Sequence, residues 1–176
     1  MATKFQYRKI TGVFRAMDVD GDGFLTEADF EALASRWAAI QGQPKGRIHS
    51  IMMGWWGTLL TADRDGDGRV TLDDVMLIVD RLDQMPHAMA TTALSMFDAV
   101  DVNGDGLISA REYNQLVVGW AGVPIDTDDV FDEIDGDGDG YLSRTEFGEL
   151  WAEFWSGDNP RASGSLVFGR LDVVAR

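Results

Sequence analysis

The chain contains no cysteine, which excludes disulfide bonds, thiolate catalysis and zinc sites built on cysteine. It also lacks a cluster of lysines and arginines, and its formal net charge of −15 disfavours nucleic acids and anionic membrane surfaces as partners. No apolar run approaches membrane-spanning length, and no uninterrupted apolar stretch follows Lys4, Arg8 and Lys9 as in a secretion signal. We therefore expect a cytoplasmic protein, without a membrane or nucleic-acid partner, that attracts cations.

The acidic residues are concentrated in a segment that occurs four times. Between these segments the sequence is strongly apolar, and the 45 % of hydrophobic residues is enough for a real core. The four segments are 18–29 (DVDGDGFLTEAD), 63–74 (DRDGDGRVTLDD), 101–112 (DVNGDGLISARE) and 135–146 (DGDGDGYLSRTE). The repeat predicts four copies of one structural unit.

Each segment has the form of an EF-hand loop. Aspartate stands at position 1, aspartate or asparagine at position 3, aspartate at position 5, glycine at position 6, an aliphatic residue at position 8 and an acid at position 12. A single Asp-Gly string is more often an acidic surface turn. Because one window matches this template by chance on the order of 10⁻⁶ of the time, four matches indicate calcium sites.

Calcium is a hard cation that prefers six to eight oxygen ligands, and alternating acids in a tight loop supply them. We expect side-chain oxygens at positions 1, 3, 5 and 12, and a backbone carbonyl at position 7; position 9, as in Thr26, acts through a water molecule. The predicted ligands are Asp18, Asp20, Asp22, the Phe24 carbonyl and Asp29 in loop one; Asp63, Asp65, Asp67, the Arg69 carbonyl and Asp74 in loop two; Asp101, Asn103, Asp105, the Leu107 carbonyl and Glu112 in loop three; and Asp135, Asp137, Asp139, the Tyr141 carbonyl and Glu146 in loop four.

The last ligand differs between the two halves of the chain. Loops three and four end in glutamate, whose length allows two oxygens to bind one ion, whereas loops one and two end in aspartate. We therefore expect up to four Ca²⁺ ions, with Mg²⁺ competing more strongly in loops one and two. Without metal the clustered carboxylates repel, so ion binding is expected to order the loops.

Apolar residues recur around each loop at helical spacing, so each unit is predicted to be helix, loop, helix. The fold class is all-α: eight helices form four EF-hands in two pairs in a compact molecule, with short loop-to-loop β contacts. Loops one and two are expected to pair, as are loops three and four, through the aliphatic residues Leu25, Val70, Ile108 and Leu142. The apolar positions are, before the loops, Phe14, Leu59, Phe97 and Phe131, and, after them, Phe30, Leu33, Trp37, Val75, Ile78, Leu82, Tyr113, Leu116, Trp120, Phe147, Leu150 and Phe154.

Turn-forming residues divide the chain into two halves. Breaks are expected at 41–46, 83–87 and 119–124, followed by helix-capping candidates at 126–128. We therefore predict an N-terminal pair over 1–85, a C-terminal pair over 86–155, and a tail over 156–176 that packs on the body through its apolar end, including Phe168, Leu171, Val173 and Val174.

The whole chain resembles the calerythrin-like members of the sarcoplasmic calcium-binding protein family. The similarity rests on length, four hands with unevenly spaced first and second loops, Asp29 at position 12, and the ending Phe168-Gly169-Arg170-Leu171-Asp172-Val173. It implies a compact helical protein with paired hands, a packed tail, and Ca²⁺ binding with Mg²⁺ competition. The second hand is degenerate in those relatives but complete here, so we predict four ions rather than three.

Three classes of function remain to be separated. A calcium buffer keeps its apolar surface closed, whereas a sensor exposes a groove for a protein target. The methionines and six tryptophans are expected mainly in the core, and the short linker at 83–87 and the apolar tail favour a buffer, which is expected to be a monomer. An enzyme is not expected, because the notable acids all belong to loops, the Gly-x-Gly strings lack a phosphate-loop lysine, and His49 and His87 stand alone.

Overall fold

The computed structural model describes residues 2–170. Within this range the chain forms eight α-helices and two short strands, confirming the all-α prediction. The helices are α1 (Lys4–Met17), α2 (Glu27–Gln41), α3 (Lys45–Leu60), α4 (Leu72–Val79), α5 (Pro86–Val100), α6 (Ala110–Ala121), α7 (Asp128–Ile134) and α8 (Arg144–Ser156); the strands are β1 (Leu107–Ser109) and β2 (Tyr141–Ser143). None of the described helices combines the length and hydrophobicity needed to span a bilayer.

The end of each loop fixes the start of the helix that follows it. The residue at position 9 is the N-cap of that helix. Its backbone amide donates a hydrogen bond to the carboxylate at position 12, at 2.8–2.9 Å. This reciprocal arrangement is a capping box, which satisfies amides that the first helical turn leaves unpaired. The N-cap residues are Thr26, Thr71, Ser109 and Ser143.

The loops pair as predicted. Leu25 and Val70 exchange backbone hydrogen bonds of 2.8 and 3.0 Å between loops one and two. In the second half, β1 and β2 run antiparallel, with Ile108 opposite Leu142. All four of these side chains are fully buried, so each contact joins the hydrophobic core directly beneath two loops.

Most of the apolar residues predicted to flank the loops lie in the core, but α4 is shorter than the pattern suggested. It ends at Val79, and Leu82 lies in a 3₁₀ turn spanning Leu82–Gln84. Pro86 disfavours helical backbone at Met85, which separates this turn from α5. Ile78 and Leu82 are accordingly only partly buried.

The two halves of the chain pack directly against one another. The rings of Trp37 on α2 and Trp120 on α6 meet edge to face, with centroids 5.9 Å apart. A Cβ atom on Gly119 would lie 2.4 Å from Nε1 of Trp37, so the helices approach closely at this glycine. Trp55 on α3 and Trp151 on α8 form a second contact at 5.3 Å.

The described end of the tail lies in the core. Val167 and Phe168 are fully buried, and the Phe168 ring lies 4.8 Å from that of Phe154 and 5.4 Å from that of Trp151. The Tyr113 hydroxyl donates to the Leu166 carbonyl at 2.5 Å. Leu171, Val173 and Val174, which the sequence also assigned to this packing, lie outside the described residues.

Two polar side chains of α1 bind the carboxyl end of α8. The Lys9 ammonium, fully buried, donates to the carbonyls of Phe154 and Gly157, the latter at 2.8 Å. Gln6 donates its side-chain amide to the Trp155 carbonyl at 2.9 Å. A helix leaves its last carbonyls unpaired and carries partial negative charge there, so this cation and amide satisfy α8 and connect it to α1.

Candidate calcium sites

The first aspartate organises the backbone of every loop. In all four loops its two carboxylate oxygens accept hydrogen bonds from the amides of positions 4 and 6, at 2.8–3.0 Å. The position 5 carboxylate likewise accepts from the amide of position 7 at 2.9 Å. These bonds curl the chain around a point towards which the acidic side chains converge.

Glycine at position 6 is required by the backbone conformation. Gly23 has a φ of 88° and Gly68 a φ of 78°, values in the left-handed region that side-chain-bearing residues rarely adopt. The glycine of the repeat is therefore explained by the backbone conformation that the loop needs at position 6.

The structure brings acidic oxygens together in three of the loops. Within each group the oxygens lie within 4.8 Å of one another, a spacing at which three carboxylates can hold one cation. The groups are Asp18, Asp20 and Asp22; Asp63, Asp65 and Asp67; and Asp135, Asp137 and Glu146. In loop three, position 3 is the neutral Asn103, whose side-chain amide donates to Asp105 at 3.0 Å, so that loop presents its oxygens with one carboxylate fewer.

The carboxylate predicted to be the last ligand, at position 12, is not grouped with the other acids in the same way in every loop. Glu146 belongs to the acidic group of loop four, whereas Asp29 and Asp74 lie outside the groups of loops one and two. Asp29 also accepts a hydrogen bond from the Val19 amide at 2.9 Å, and Glu112 accepts one from the Val102 amide at 3.0 Å. Because an ionised carboxylate offers about four lone-pair sites, these bonds leave room for a metal bond.

Neighbouring carboxylates and loop amides change the pKa values of the loop aspartates in opposite directions. The Asp22 amide donates to Asp20 and lowers its pKa, but loss of solvation and the charges of Asp29 and Asp22 outweigh this and raise the pKa of Asp20. In loop two, hydrogen bonds led by the one from the Gly68 amide lower the pKa of Asp63.

The same competition acts on two other third-position acids. A hydrogen bond from the Asp67 amide lowers the pKa of Asp65. The side-chain hydrogen bond between Asp65 and Asp63, together with the charges of Asp67 and Asp63, outweighs it, so the pKa of Asp65 is raised overall. The pKa of Asp137 is also raised: desolvation and the charges of Asp139 and Glu146 outweigh the amide of Asp139. A divalent cation would relieve this repulsion, which makes each group a favourable cation site.

Some contacts around the loops were not foreseen. Thr26, predicted to act through water, donates its hydroxyl to Asp29 at 3.0 Å as part of the helix cap. The guanidinium group of Arg69 lies 5.1 Å from the centre of the Phe24 ring, so the seventh residues of paired loops contact each other through their side chains. The capping role had a signal in the sequence, since serine or threonine precedes an acid by three residues in every loop.

Neither histidine forms a hydrogen bond with a loop residue within the part of the chain that the structure describes. His49 lies 2.6 Å from a carboxylate oxygen of Glu31, and His87 lies exposed near the start of α5. Hydrogen bonds from His49 and then Lys45 lower the pKa of Glu31. Glu31, Lys45 and His49 therefore form a charged cluster on the surface, which we interpret as structural.

Comparison with known families and proteins agrees with the geometry. A family profile described as an EF-hand domain pair matches residues 90–152, and another described as an EF hand matches residues 10–34. The sarcoplasmic calcium-binding protein alpha-B and -A chains of Penaeus sp. are 32 % identical over 175 residues, covering 89 % of this chain and 91 % of theirs. The chain belongs to the sarcoplasmic calcium-binding protein family. As a member, it is a calcium-binding EF-hand protein and not an enzyme.

Solved structures extend the comparison. A sarcoplasmic calcium-binding protein from amphioxus shares the fold, with a TM-score of 0.74, 19 % identity, and coverage of 97 % of this chain and 99 % of that one. A Streptomyces coelicolor calcium-binding protein, described in connection with prokaryotic calcium-mediated regulation, has a TM-score of 0.69 and 27 % identity, over 88 % of this chain and 99 % of its own. The resemblance to sarcoplasmic calcium-binding proteins predicted from the sequence is thus confirmed.

Proposed function

We propose that this sarcoplasmic calcium-binding protein is a calcium buffer that holds up to four Ca²⁺ ions, one in each loop, with Mg²⁺ competing. The observation that supports it best is the shared hydrogen-bond framework, in which every first-position aspartate fixes two loop amides at 2.8–3.0 Å. The proposed ligands are the twenty residues predicted from the sequence.

Loop two decides between three ions and four. It contains every acidic ligand of the template and surrounds a cavity of about 150 Å³ lined by Asp63, Asp65, Asp67 and Asp74. This cavity supports binding at the hand that is degenerate in calerythrin-like relatives.

Native mass spectrometry of the calcium-saturated protein tests the stoichiometry. We expect four ions on the unmodified chain and three on Asp67→Ala. Asp73→Ala, which removes an exposed acid just beside the loop's last ligand, should retain four. Three ions on the unmodified chain, or no loss in Asp67→Ala, would contradict a site in loop two.

The proposed Mg²⁺ competition follows from the last ligand. Asp29 and Asp74 lie outside their acidic groups, and a single oxygen from each would give the six-oxygen shell that Mg²⁺ prefers. We expect millimolar Mg²⁺ to weaken calcium binding at loops one and two more than at loops three and four. Calorimetric calcium titrations of Asp29→Ala and Asp74→Ala, with and without Mg²⁺, measure this; equal sensitivity of all loops would contradict the ranking.

Burial of the large apolar side chains supports a buffer. All six tryptophans are at most 8 % exposed, and Phe168 of the tail is fully buried among them. A sensor would have to expose such surface when calcium binds. We therefore expect a small change in 8-anilinonaphthalene-1-sulfonate fluorescence and a nearly constant radius of gyration when calcium is added.

A sensor is the alternative, and two observations favour it. Met85 and Leu94 beside and on α5 are 44 % and 49 % exposed, and the Streptomyces coelicolor neighbour is described in terms of calcium-mediated regulation. A large fluorescence rise with calcium, or calcium-dependent capture of a protein target, would select it.

The remaining features of the proposal come from the sequence. They are a cytoplasmic monomer without nucleic-acid or membrane partners, and a division into hands over 1–85, hands over 86–155 and a tail over 156–176. The net charge of −15 supports the choice of partners.

A further inference from the structure

An apolar cavity of about 240 Å³ lies between α3, α4 and α5, at the junction of the two halves. Trp55 of α3 and Trp155 of α8 form part of its wall, with Leu59, Val79 and Met89 among the other lining residues. An apolar cavity of about 150 Å³ is large enough to hold benzene. This one therefore has room for an aromatic ring with a short chain.

Two hydrogen-bond donors of the wall lack acceptors. Trp55 and Trp155 are only 8 % and 7 % exposed, and neither indole N–H has a partner among residues 2–170. By contrast, Trp151 beside them donates to the Thr92 hydroxyl at 3.2 Å. Neither nitrogen has surface that water can reach, so a ligand in the cavity would meet the rings of these two tryptophans and not their N–H groups. Among the described residues Trp37 and Trp120 also lack hydrogen-bond partners, and neither lines the cavity, so an unpaired indole is not specific to this wall.

The charge of the cavity is opposite to that of the molecule. Its lining includes two arginines, Arg64 and Arg81, and no acidic residue, although the chain carries a net charge of −15. Both arginines are exposed, and neither forms an ion pair within the described range. Guanidinium groups bind carboxylates through paired hydrogen bonds, so these two residues select an anion.

We propose that this cavity binds a small apolar molecule carrying one carboxylate. The apolar body fills the space beside Trp55 and Trp155, and the carboxylate pairs with Arg64 or Arg81. Arg64 belongs to loop two, between the proposed ligands Asp63 and Asp65, whereas Arg81 and the apolar wall lie outside the loops, so all measurements are made with loop two saturated by calcium.

Three probes of equal size test the chemistry at saturating calcium: 4-phenylbutyrate, 4-phenylbutan-1-ol and 4-phenylbutylamine. We expect the acid to bind most tightly in calorimetry, although the net charge of the protein favours the amine non-specifically. The indole signals of Trp55 and Trp155, whose rings line the cavity, should change position in ¹⁵N-edited spectra, assigned with Trp55→Phe and Trp155→Phe.

Variants locate the site. Ala88→Phe and Thr58→Phe fill the cavity from different helices and should each abolish binding, while calcium stoichiometry reports that the protein is folded. The double variant Arg64→Gln/Arg81→Gln should weaken binding of the acid about tenfold without affecting the alcohol. Arg161→Gln, an exposed arginine that does not line the cavity, is the matched control and should have no effect.

Several results would overturn the proposal. These are no binding of 4-phenylbutyrate at millimolar concentration, tighter binding of the amine, or binding that survives both cavity-filling variants. Binding of the amphipathic peptide melittin that requires Leu59 and Met89, without any response to 4-phenylbutyrate, would instead assign the cavity to a protein helix.

Discussion

One methylene group distinguishes the last ligand of loops one and two from that of loops three and four. Asp29 and Asp74 serve as helix caps in the same way as Glu112 and Glu146, accepting a hydrogen bond from the amide of position 9. Only Glu146 also lies within an acidic group. The cap therefore sets the position of the carboxyl group in every loop, but side-chain length alone does not bring it into an acidic group, because Glu112 lies outside one as well.

Asp74→Glu should raise the calcium affinity of loop two by about tenfold, because the longer side chain can supply two oxygens. It should also reduce inhibition by Mg²⁺. Calorimetric calcium titration with and without Mg²⁺ measures both effects. The neighbouring Asp73→Glu, which changes an exposed non-ligand in the same way, should leave the titration unchanged; an equal response of both variants would refute the explanation.

Lys9 is a buried cation whose partners are backbone carbonyls at the end of α8. Lys9→Met should lower the free energy of unfolding by roughly 2–4 kcal/mol, because these carbonyls lose their donor. Lys4→Met, an exposed lysine of the same helix, should change it by less than about 0.5 kcal/mol. Urea unfolding in calcium compares the two, and equal values would exclude this role.

The same lysine predicts a pH dependence. Burial lowers the pKa of Lys9 to about 8, against the opposing charges of Glu153 and Asp158. Between pH 8 and 10.5 the unfolded chain keeps this proton and the folded chain loses it, so folding stability gained from Lys9 rises with pH. The difference in unfolding free energy between the unmodified chain and Lys9→Met should widen across this interval; a constant difference would contradict it.

The proposed loop ligands could be predicted from the sequence because their spacing is local, whereas the partners of Lys9 could not. The acceptors are carbonyls about 145 positions away, and a carbonyl has no residue type to recognise. The helix caps were detectable, since a hydroxyl residue three positions before an acid is a local pattern.

Helices α2 and α6 bring the two halves together at a glycine. The sequence placed Gly119 in a break between hands, but it lies within α6, where a side chain would meet Trp37. Glycine destabilises the interior of a helix relative to alanine. At position 119 it is needed because Trp37 lies too close for a side chain. Helix boundaries were thus the least predictable feature, because they depend on neighbours distant in sequence.

Gly119→Ala should destabilise the protein by roughly 1–3 kcal/mol, since the new methyl group would overlap Trp37. Gly148→Ala in α8 meets no atom within 4 Å and should stabilise by about 0.5–1 kcal/mol through helix propensity alone. Thermal unfolding in calcium distinguishes them. If both variants shift the midpoint in the same direction, the close contact is not what requires glycine at 119.

Across the molecule, the first and last helices are joined. Lys9 and Gln6 of α1 bind the end of α8, while α1 leads into loop one and α8 follows loop four. The two halves of the chain also pack together through the aromatic contacts between Trp37 and Trp120 and between Trp55 and Trp151. The loop residues were enough to predict from the sequence that the hands pair within each half. The residues that connect the two halves could be identified only from the structure.

The central claim is that four oxygen-lined loops each take up one divalent calcium ion. Equilibrium dialysis of the intact chain against micromolar to millimolar Ca²⁺ measures this directly. The account predicts saturation at four ions per chain, and a folded protein that takes up none would contradict it.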